Sequence, residues 1–191
     1  AESGGVRLHE ANAGLIAVSE VMRALLDVRA AGMPVIVLIG GANGCFGGMG
    51  IVARCADYIV MSDVGRLAMS GPEVIEASHG VDEFDSRDRA LVWRTTGGKH
   101  RWLTGDCDAL VEDDVAAFRA AAIAAIDGSK PLTLAALEHE HLLLTERLHA
   151  LPSTGTTESD EATLLWTALG IPDAQQVPEL SVDAVRALRT V

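Results

Sequence analysis

The fold is decided by residues 34–61, which read PVIVLIGGANGCFGGMGIVARCADYIVM. The first part, residues 34–53, carries no charge, and a helix of that length would cross a bilayer of about 30 Å. It also includes six glycines, each of which costs about 1 kcal/mol inside a helix. The stretch is therefore predicted to form a buried strand at Val35–Ile39, a glycine-rich loop, a short helix ending near Cys55 and a second strand at Asp57–Met61. Two strands joined through a helix imply a parallel crossover, which indicates an α/β fold.

Helices are predicted on both sides of this unit. Upstream, apolar residues recur at helical spacing over about Asn12–Ala31, and Gly32 with Pro34 supplies the stop signal. Downstream, Gly71 precedes a proline and a glutamate, a combination typical of the first turn of a helix.

The C-terminal part is predicted to be helical as well. Asp113 and Asp114 cap an alanine-rich helix that ends near Gly128, and Pro131 opens a helix that reaches about Ala150. A polar run containing proline and glycine then predicts a linker. The predicted parts of the chain are a core at 1–128, a helix at 129–150, the linker at 151–160, and a short tail at 161–191 with helices at Leu164–Leu169 and Val182–Leu188, the second capped by Ser181.

Composition excludes several classes of protein. The 191 residues are 49% hydrophobic and 22% charged, which is globular and leaves material for a sizeable core. The net charge of −12 argues against nucleic acid as the main partner, because neutralising phosphates requires a surplus of lysine and arginine. The three cysteines build neither a disulfide framework nor a zinc ribbon. With no signal peptide visible and no membrane span predicted, we expect a cytoplasmic protein.

Basic residues concentrate between positions 87 and 101, where five of them accompany one acid. This segment could bind an anion. The alternative is an ordinary solvated face whose charge is balanced by acids just upstream, and the charge pattern alone favours that alternative.

Two glycine clusters stand out, at residues 4–5 and 40–50. Glycine lets the backbone approach a ligand and present its N–H groups, so such segments suit an anion or a developing oxyanion. Close packing of a helix on a sheet also requires small residues, and the residues alone leave both interpretations open.

Three further patterns are weaker. Gly48–Ala53 fits the dinucleotide fingerprint G-x-G-x-x-A, but it starts well after the predicted strand, and no acid follows at the expected distance. Cys45 precedes a helix, which favours a reactive thiol, but no histidine is near it in sequence, so a packed thiol is the better interpretation. The run His139–His141 lacks a metal-binding spacing, because residues two apart on a helix point in different directions.

Five motifs carry a resemblance to a known family, over residues 1 to about 128. The motifs are Gly4–Leu8 with Glu10–Asn12, Gly44–Met49, Ser70–Glu76, Glu83–Arg89 and Trp93–Arg101. In these stretches the chain resembles the carboxyltransferase branch of the crotonase superfamily. Its last two motifs are similar to those of the beta subunit of biotin-independent malonate decarboxylase.

The resemblance implies a crotonase-like ββα spiral with a helical C-terminal extension. Members of the family begin well upstream of the strand that leads into Gly4, so the first strands of the spiral are expected to be missing from this sequence. A gamma subunit of similar fold is implied as partner, with the site between the two subunits. The substrate would be a malonyl thioester on the phosphopantetheine-type arm of an acyl carrier subunit, and the products CO2 and the acetyl thioester. Neither a metal nor biotin is expected.

Two backbone oxyanion holes are also implied by the resemblance. They are assigned to the amides of Gly4, Gly5, Val6, Cys45, Phe46 and Gly47. The residues expected to bind the substrate or the prosthetic arm are Arg7, Gly44, Gly48, Met49, Gly71, Pro72, Arg94, Lys99, His100 and Arg101. Of the latter set, Arg94, Lys99 and Arg101 are expected to face the phosphates of the arm.

The chemistry of decarboxylation is consistent with such a site. Loss of CO2 leaves negative charge on the thioester oxygen, so fixed hydrogen-bond donors matter more than a base. A dry pocket that favours departure of neutral CO2 could be lined by Phe46, Met49 and Met69. His100 and Cys45 are candidates for the proton donor to the enolate.

Three other functions stay open from the sequence. They are carboxyl transfer between biotin and an acyl-CoA, a scaffold that binds a CoA-like group or a partner without chemistry, and a dinucleotide-dependent oxidoreductase. Avidin sensitivity, turnover by the assembled complex and cofactor absorbance would separate them.

Overall fold

The computed structural model of the protein describes residues 1–5, 8–128, 133–150 and 157–189. Its helices and strands are, in chain order, α1 Ala11–Ala30, β1 Ile36–Ile39, α2 Gly47–Ala53, β2 Tyr58–Ser62, α3 Pro72–His79, α4 Arg89–Thr96, α5 Gly98–Leu103, β3 Ala109–Val111, α6 Val115–Gly128, α7 Leu134–Ala150, α8 Glu158–Ala168 and α9 Val182–Leu188. Short 3-10 helices lie at Leu8–Glu10 and Ala174–Glu179.

The strands form one parallel sheet in the order β1-β2-β3. β1 pairs with β2 from Ile36 opposite Tyr58 to Ile39 opposite Met61. Helix α2 lies in the connection between them, so the strand, loop, helix and strand predicted for residues 34–61 are confirmed.

Strand β3 is absent from the sequence-based prediction. Its three residues, Ala109–Val111, are too few to show a period. Its register beside β2 is fixed by Asp108, whose amide donates to the Ile59 carbonyl (2.8 Å) and whose carboxylate accepts from the Ile59 amide (2.8 Å). The two residues are far apart in sequence, so only the folded chain shows the pairing.

The sheet is covered by helices that bury its aliphatic side chains. Helix α6 packs along all three strands, and α5 packs on β2 and β3. The main cluster of buried side chains is Ile39, Cys45, Ala53, Ile59, Met61, Leu67 and Cys107. Within the described ranges, no helix combines the length and apolar character needed to cross a bilayer.

The basic segment folds into α4 and α5, two helices that the charge pattern does not predict. Asp88 caps α4 by accepting a hydrogen bond from the Leu91 amide (3.1 Å). Helix α5 starts at Gly98 and lies directly against β2. A Cβ at this position would lie only 2.1 Å from the Ser62 carbonyl oxygen, so this close approach requires glycine. Residues 90–100 of the segment are therefore largely buried, whereas Arg87 and Arg89 are exposed.

The C-terminal tail packs on the chain's own core. Trp166, Val177, Val182 and Val185 form a buried cluster with Leu110 of β3. The Trp166 indole donates to the Arg94 carbonyl (3.3 Å), which joins α8 to α4.

Capping residues set where the two helices of the C-terminal tail begin. Ser181 caps α9 through the Ala184 amide (3.2 Å), as predicted. Helix α8 begins at Glu158, earlier than the predicted Leu164, because Thr157 and Asp160 form a reciprocal capping box. The last residues of the predicted linker are therefore helical, and residues 151–156 lie outside the described residues.

Candidate functional site

The glycine-rich loop between β1 and α2 turns sharply at Gly44. This residue has φ +78°, and a Cβ there would lie 2.5 Å from the Phe46 ring, so a larger side chain fits neither the conformation nor the space. Beyond the turn, the backbone runs beside residues 66–69, and Cys45 forms a parallel bridge with Leu67.

The amides of this loop donate hydrogen bonds inside the chain. The Cys45 amide donates to the Arg66 carbonyl (2.8 Å) and the Gly47 amide to the Met69 carbonyl (2.9 Å). The Phe46 amide donates to the Ser3 hydroxyl (2.8 Å). The assignment of these three amides to an oxyanion hole is therefore wrong, because neighbouring segments already accept their hydrogens.

The next two amides along the chain are different. Gly48 and Met49 follow Gly47 in the first turn of α2, and the first intrahelical bond is the one from the Gly50 amide to the Phe46 carbonyl (3.4 Å). No described residue accepts from the amides of Gly48 and Met49. The donors that this loop offers to a ligand are therefore the two residues directly after the three that the resemblance implies.

The first glycine cluster lies beside the second. The Ser3 amide donates to the Gly44 carbonyl (2.8 Å), which places Gly4 and Gly5 next to the loop. Both glycines are exposed, and within the described part of the chain nothing accepts from their amides. Val6 and Arg7 lie outside the described residues.

A cavity of about 310 Å³ runs along α2. Gly50, Ile51, Leu67, Ala68 and Met69 line it, together with three charged residues at one side, Arg54, Arg101 and Asp106. A second cavity of about 420 Å³ shares Ala68 and Met69, and continues past Ser70, Ile75, His79, Glu83, Phe84, Thr157 and Ser159. A cavity with an apolar wall and charged residues at one side can accommodate a narrow ligand that has both apolar and polar parts.

The charged side of the first cavity is organised around Asp106. Its carboxylate accepts from Arg54 (3.2 Å), Arg101 (3.2 Å) and the Thr104 hydroxyl (2.7 Å). Burial raises the pKa of Asp106, but the Thr104 hydrogen bond and the two positive charges outweigh burial and lower that pKa overall. Arg101 also donates to the Leu67 carbonyl (2.8 Å), so it supports the wall of the cavity.

Of the three residues predicted to line a dry pocket, only Met69 lines either cavity, and its side chain is 69% exposed there. Met69 lines both cavities. The Phe46 ring packs instead against Gly71, the residue that precedes Pro72 at the start of α3, and under the Arg66 guanidinium. Met49 is exposed, and it lies outside the lining of either cavity.

The prediction that Lys99 faces phosphates is wrong. Its side chain is 2% exposed, and its ammonium donates to the carbonyls of Val177 (3.3 Å) and Pro178 (2.7 Å). Burial lowers the pKa of Lys99, and the nearby Asp63 partly opposes that effect. A solvated face is equally wrong for Lys99, because the C-terminal tail covers it. Arg94 is half-buried and donates to the Ser159 hydroxyl (3.3 Å).

Replacing Lys99 with methionine is expected to destabilise the protein by about 1–3 kcal/mol, because two carbonyls in the tail lose their donor while the stem is kept. Urea unfolding of the purified protein measures the change. Arg87→Met is the matched control, since the Arg87 side chain is 80% exposed and pairs only with Asp85 among the described residues. Equal urea midpoints for Lys99→Met and Arg87→Met would contradict a stabilising contact between the Lys99 ammonium and the two tail carbonyls.

Neither predicted proton donor lines either of these two cavities. Cys45 is fully buried, and burial raises the pKa of its thiol. His100 is 5% exposed, and burial, reinforced by the charge of Arg101, lowers its pKa to about 3. The His100 imidazole is therefore neutral near pH 7, and both residues act as packing groups.

Because His100 is buried, the protein is expected to lose stability in acid. Its ordinary pKa of about 6.5 applies to the unfolded chain, so stability is complete above that value and falls as the pH drops towards 3, because only the unfolded chain takes up the proton. The slope is at most about 1.4 kcal/mol per pH unit. Urea unfolding between pH 7 and 5 is expected to show this slope in the wild type and in His139→Gln, but not in His100→Gln. Identical slopes in all three proteins would contradict the assignment.

No metal site or disulfide is formed within the described residues. The cysteines are free, and no three potential ligands among histidine, cysteine, aspartate and glutamate come together there. His139 and His141 are both exposed on α7.

Ser3, Arg54 and Asp106 are site residues that the sequence does not reveal. Ser3 contacts residues more than forty positions away, and Arg54 and Asp106 are 52 apart. A serine before two glycines is the one local signal, and it does not identify the partner.

Comparison with known proteins shows which proteins the chain is similar to. No protein-family model matches the chain. A curated relative from Malonomonas rubra, malonyl-S-ACP:biotin-protein carboxyltransferase MADC, is 58% identical over 118 residues, which are 62% of this chain and 37% of the relative. The chain thus spans little more than a third of the length of that relative.

Two solved structures from Pseudomonas are similar to the chain. One is a malonate decarboxylase hetero-tetramer in complex with malonate, with a TM-score of 0.71 and 36% identity over 85% of this chain and 58% of that chain. The other is the MdcD-MdcE hetero-dimer of malonate decarboxylase, with a TM-score of 0.61 and 35% identity over 75% of this chain and 58% of that chain. The crotonase-like α/β fold predicted from the sequence is confirmed.

Proposed function

We propose that this chain, which is related to carboxyltransferase-type subunits of malonate decarboxylase, catalyses the decarboxylation of a malonyl thioester together with a partner subunit. The substrate is carried on the phosphopantetheine-type arm of an acyl carrier subunit, and the products are CO2 and the acetyl thioester. The proposed reaction uses neither a metal nor biotin.

The observation that carries the proposal is the juxtaposition of the two glycine segments. Gly4 and Gly5 lie beside the loop that leads to Gly48 and Met49, and the amides of all four have no acceptor within the described residues. Amides held by a rigid backbone need no reorganisation when charge develops on an oxygen nearby. This arrangement supports an anionic intermediate.

The reaction requires stabilisation of one oxygen. The bond between the α-carbon and the carboxylate breaks, CO2 leaves, and the electron pair moves into the thioester, whose oxygen becomes negative. A proton from water or a partner group then adds to the α-carbon. We propose that amides of the glycine segments donate to the thioester oxygen while it is charged. Met69 is 69% exposed in this chain, so keeping water from the departing carboxylate requires that the partner subunit cover it.

The cavity along α2 is the proposed path of the carrier arm. It begins at Gly50, one residue after Met49, and ends at Arg54. Its apolar wall suits the hydrocarbon parts of the arm, and its charged side suits the amides and the phosphate. Of the three basic residues predicted to meet the phosphate, Arg101 is the one that lines this cavity.

A gamma-type subunit is the proposed partner. The similar Pseudomonas proteins are a hetero-dimer and a hetero-tetramer. Here Gly4 and Gly5 are exposed, and α1, which packs on α2, exposes Leu15 (69%) and Ile16 (64%). Coverage by a second subunit would bury these apolar side chains and exclude water from the glycine segments.

Carboxyl transfer to a biotin protein is the second candidate. It is favoured by the name of the Malonomonas rubra relative, a malonyl-S-ACP:biotin-protein carboxyltransferase. Both reactions pass through the same charged thioester oxygen, so the described residues serve either one. They differ only in whether the CO2 is released or is transferred to a biotin nitrogen.

Reconstitution tests the proposal. The chain is purified with its partner subunit and supplied with malonyl thioester on the carrier, and CO2 release is measured with and without avidin. Release that avidin does not inhibit supports decarboxylation without biotin. Loss of malonyl thioester that requires an added biotin protein, stops with avidin and carboxylates the biotin without releasing CO2 establishes the second candidate, and no turnover in either case refutes both.

A further inference from the structure

Ser3 connects the two glycine segments through a single side chain. Its hydroxyl accepts from the Phe46 amide (2.8 Å) and donates to the Phe46 carbonyl (3.1 Å). Its own amide donates to the Gly44 carbonyl (2.8 Å). Both polar groups of the Phe46 backbone are thus bonded to one hydroxyl, 43 residues away in sequence.

These bonds lie directly beside the amides of the proposed site. Ser3 immediately precedes Gly4 and Gly5, and Phe46 immediately precedes Gly47 and the two amides without an acceptor among the described residues. Glu2 adds an outer contact, since its carboxylate accepts from the Asn43 amide (3.1 Å) and side chain (3.3 Å). That contact is exposed and lies farther from the amides, so Ser3 is the nearer constraint on their spacing.

We propose that Ser3 is a positioning residue, whose hydroxyl sets the distance between the amides of the two glycine segments. The inference rests on the proposed function, because it concerns amides assigned to the charged thioester oxygen. Without the hydroxyl, the Phe46 amide loses its acceptor. The hydrogen bond from the Ser3 amide to the Gly44 carbonyl and the outer contacts of Glu2 then still join the two segments, so their spacing is less tightly held. Small displacements of groups that act on the reacting atoms lower turnover strongly, by up to about 100-fold for about 1 Å.

Ser3→Ala in the complex of chain and partner subunit is the test. Its kcat for malonyl thioester is expected to fall by about 10-fold to 100-fold while KM changes by less than about twofold, because binding along the arm is untouched. Hydrogen exchange is measured on the same complexes without substrate. Exchange of the Phe46 amide is expected to rise by about tenfold or more as its acceptor is lost.

Ser181→Ala is the matched control. It removes a hydroxyl that likewise accepts from a backbone amide, that of Ala184 (3.2 Å), but in the C-terminal tail. It is expected to lower the melting temperature and leave kcat and Phe46 exchange unchanged. A kcat for Ser3→Ala within twofold of wild type, or unchanged exchange at Phe46, overturns the proposal.

The two proposals fail separately. A wild-type complex that binds the carrier without turnover refutes the proposed function, and the exchange experiment still decides whether Ser3 holds Phe46. If Ser3→Ala does not fold, Ser3→Thr keeps the hydroxyl and is expected to fold with near wild-type exchange at Phe46. Loss of folding in both variants overturns the role of the hydroxyl.

Discussion

Replacing Met49 with proline is expected to lower kcat for malonyl thioester by about 100-fold to 1000-fold, the usual effect of removing one oxyanion donor. Proline has no N–H, and the Met49 amide has no acceptor among the described residues. Position 49 is in the first turn of α2, where proline deletes no intrahelical hydrogen bond. The substitution therefore removes a donor from the proposed site without removing a hydrogen bond of the helix.

Met49→Ala separates the amide from the side chain. It keeps the N–H and removes the exposed thioether, so kcat is expected to stay within about threefold of wild type. CO2 release by the reconstituted complex gives kcat for both variants, and thermal melting checks that they are folded. Equal kcat values for Met49→Pro and Met49→Ala would show that donors other than the Met49 amide stabilise the oxyanion.

Replacing Gly98 with alanine is expected to be the most destabilising of the substitutions discussed. A Cβ at Gly98 would lie 2.1 Å from the Ser62 carbonyl oxygen and 3.2 Å from the Met61 Cβ. Both residues belong to β2, the central strand, so the obstacle is backbone that is held on two sides. Overpacking costs about 1–3 kcal/mol and occasionally more, and a cost of about 3 kcal/mol lowers the melting temperature of a chain of this size by about 6–12 °C.

Gly14→Ala is the matched control for that experiment. Gly14 lies inside α1, and no heavy atom lies within 4 Å of the position its Cβ would take. Alanine there is expected to raise stability by about 0.5–1 kcal/mol, because it lowers the backbone entropy of the unfolded chain. Thermal melting compares the two. A Gly98→Ala protein that melts within about 2 °C of wild type, well below the shift expected for overpacking, would show that α5 can move away from β2.

Elements with local signals can be predicted from the sequence. β1, β2 and α2 follow from apolar runs separated by glycine, and the start of α9 follows from Ser181. A cap and a helical repeat act within a few residues, so their signal lies in the segment itself. Short β3 and the early start of α8 escape prediction because a three-residue strand shows no period and the capping pair lies in a polar run.

Composition singles out the glycine segments, but it does not predict the hydrogen-bond partners within them. In the structure, Ser3 brings the two segments together. The specific donors differ, because the hydrogens of Cys45 and Gly47 go to carbonyls of residues 66 and 69. The charge pattern around Lys99 does not tell whether its side chain is exposed or buried. Only the folded structure shows that carbonyls of the C-terminal tail enclose the Lys99 ammonium.

By itself, then, the amino-acid sequence determined the α/β unit at residues 34–61, the starts of α6 and α9 at their caps Asp114 and Ser181, and the backbone freedom of the glycine segments. The tertiary structure alone decided which amides remain without an acceptor among the described residues, which basic side chain is buried, and which serine joins the two segments. The reason is physical. The sequence states which groups are hydrogen-bond donors, but the acceptor that each donor meets depends on distances in the folded chain. Here the deciding acceptors lie as far as 79 residues away in sequence.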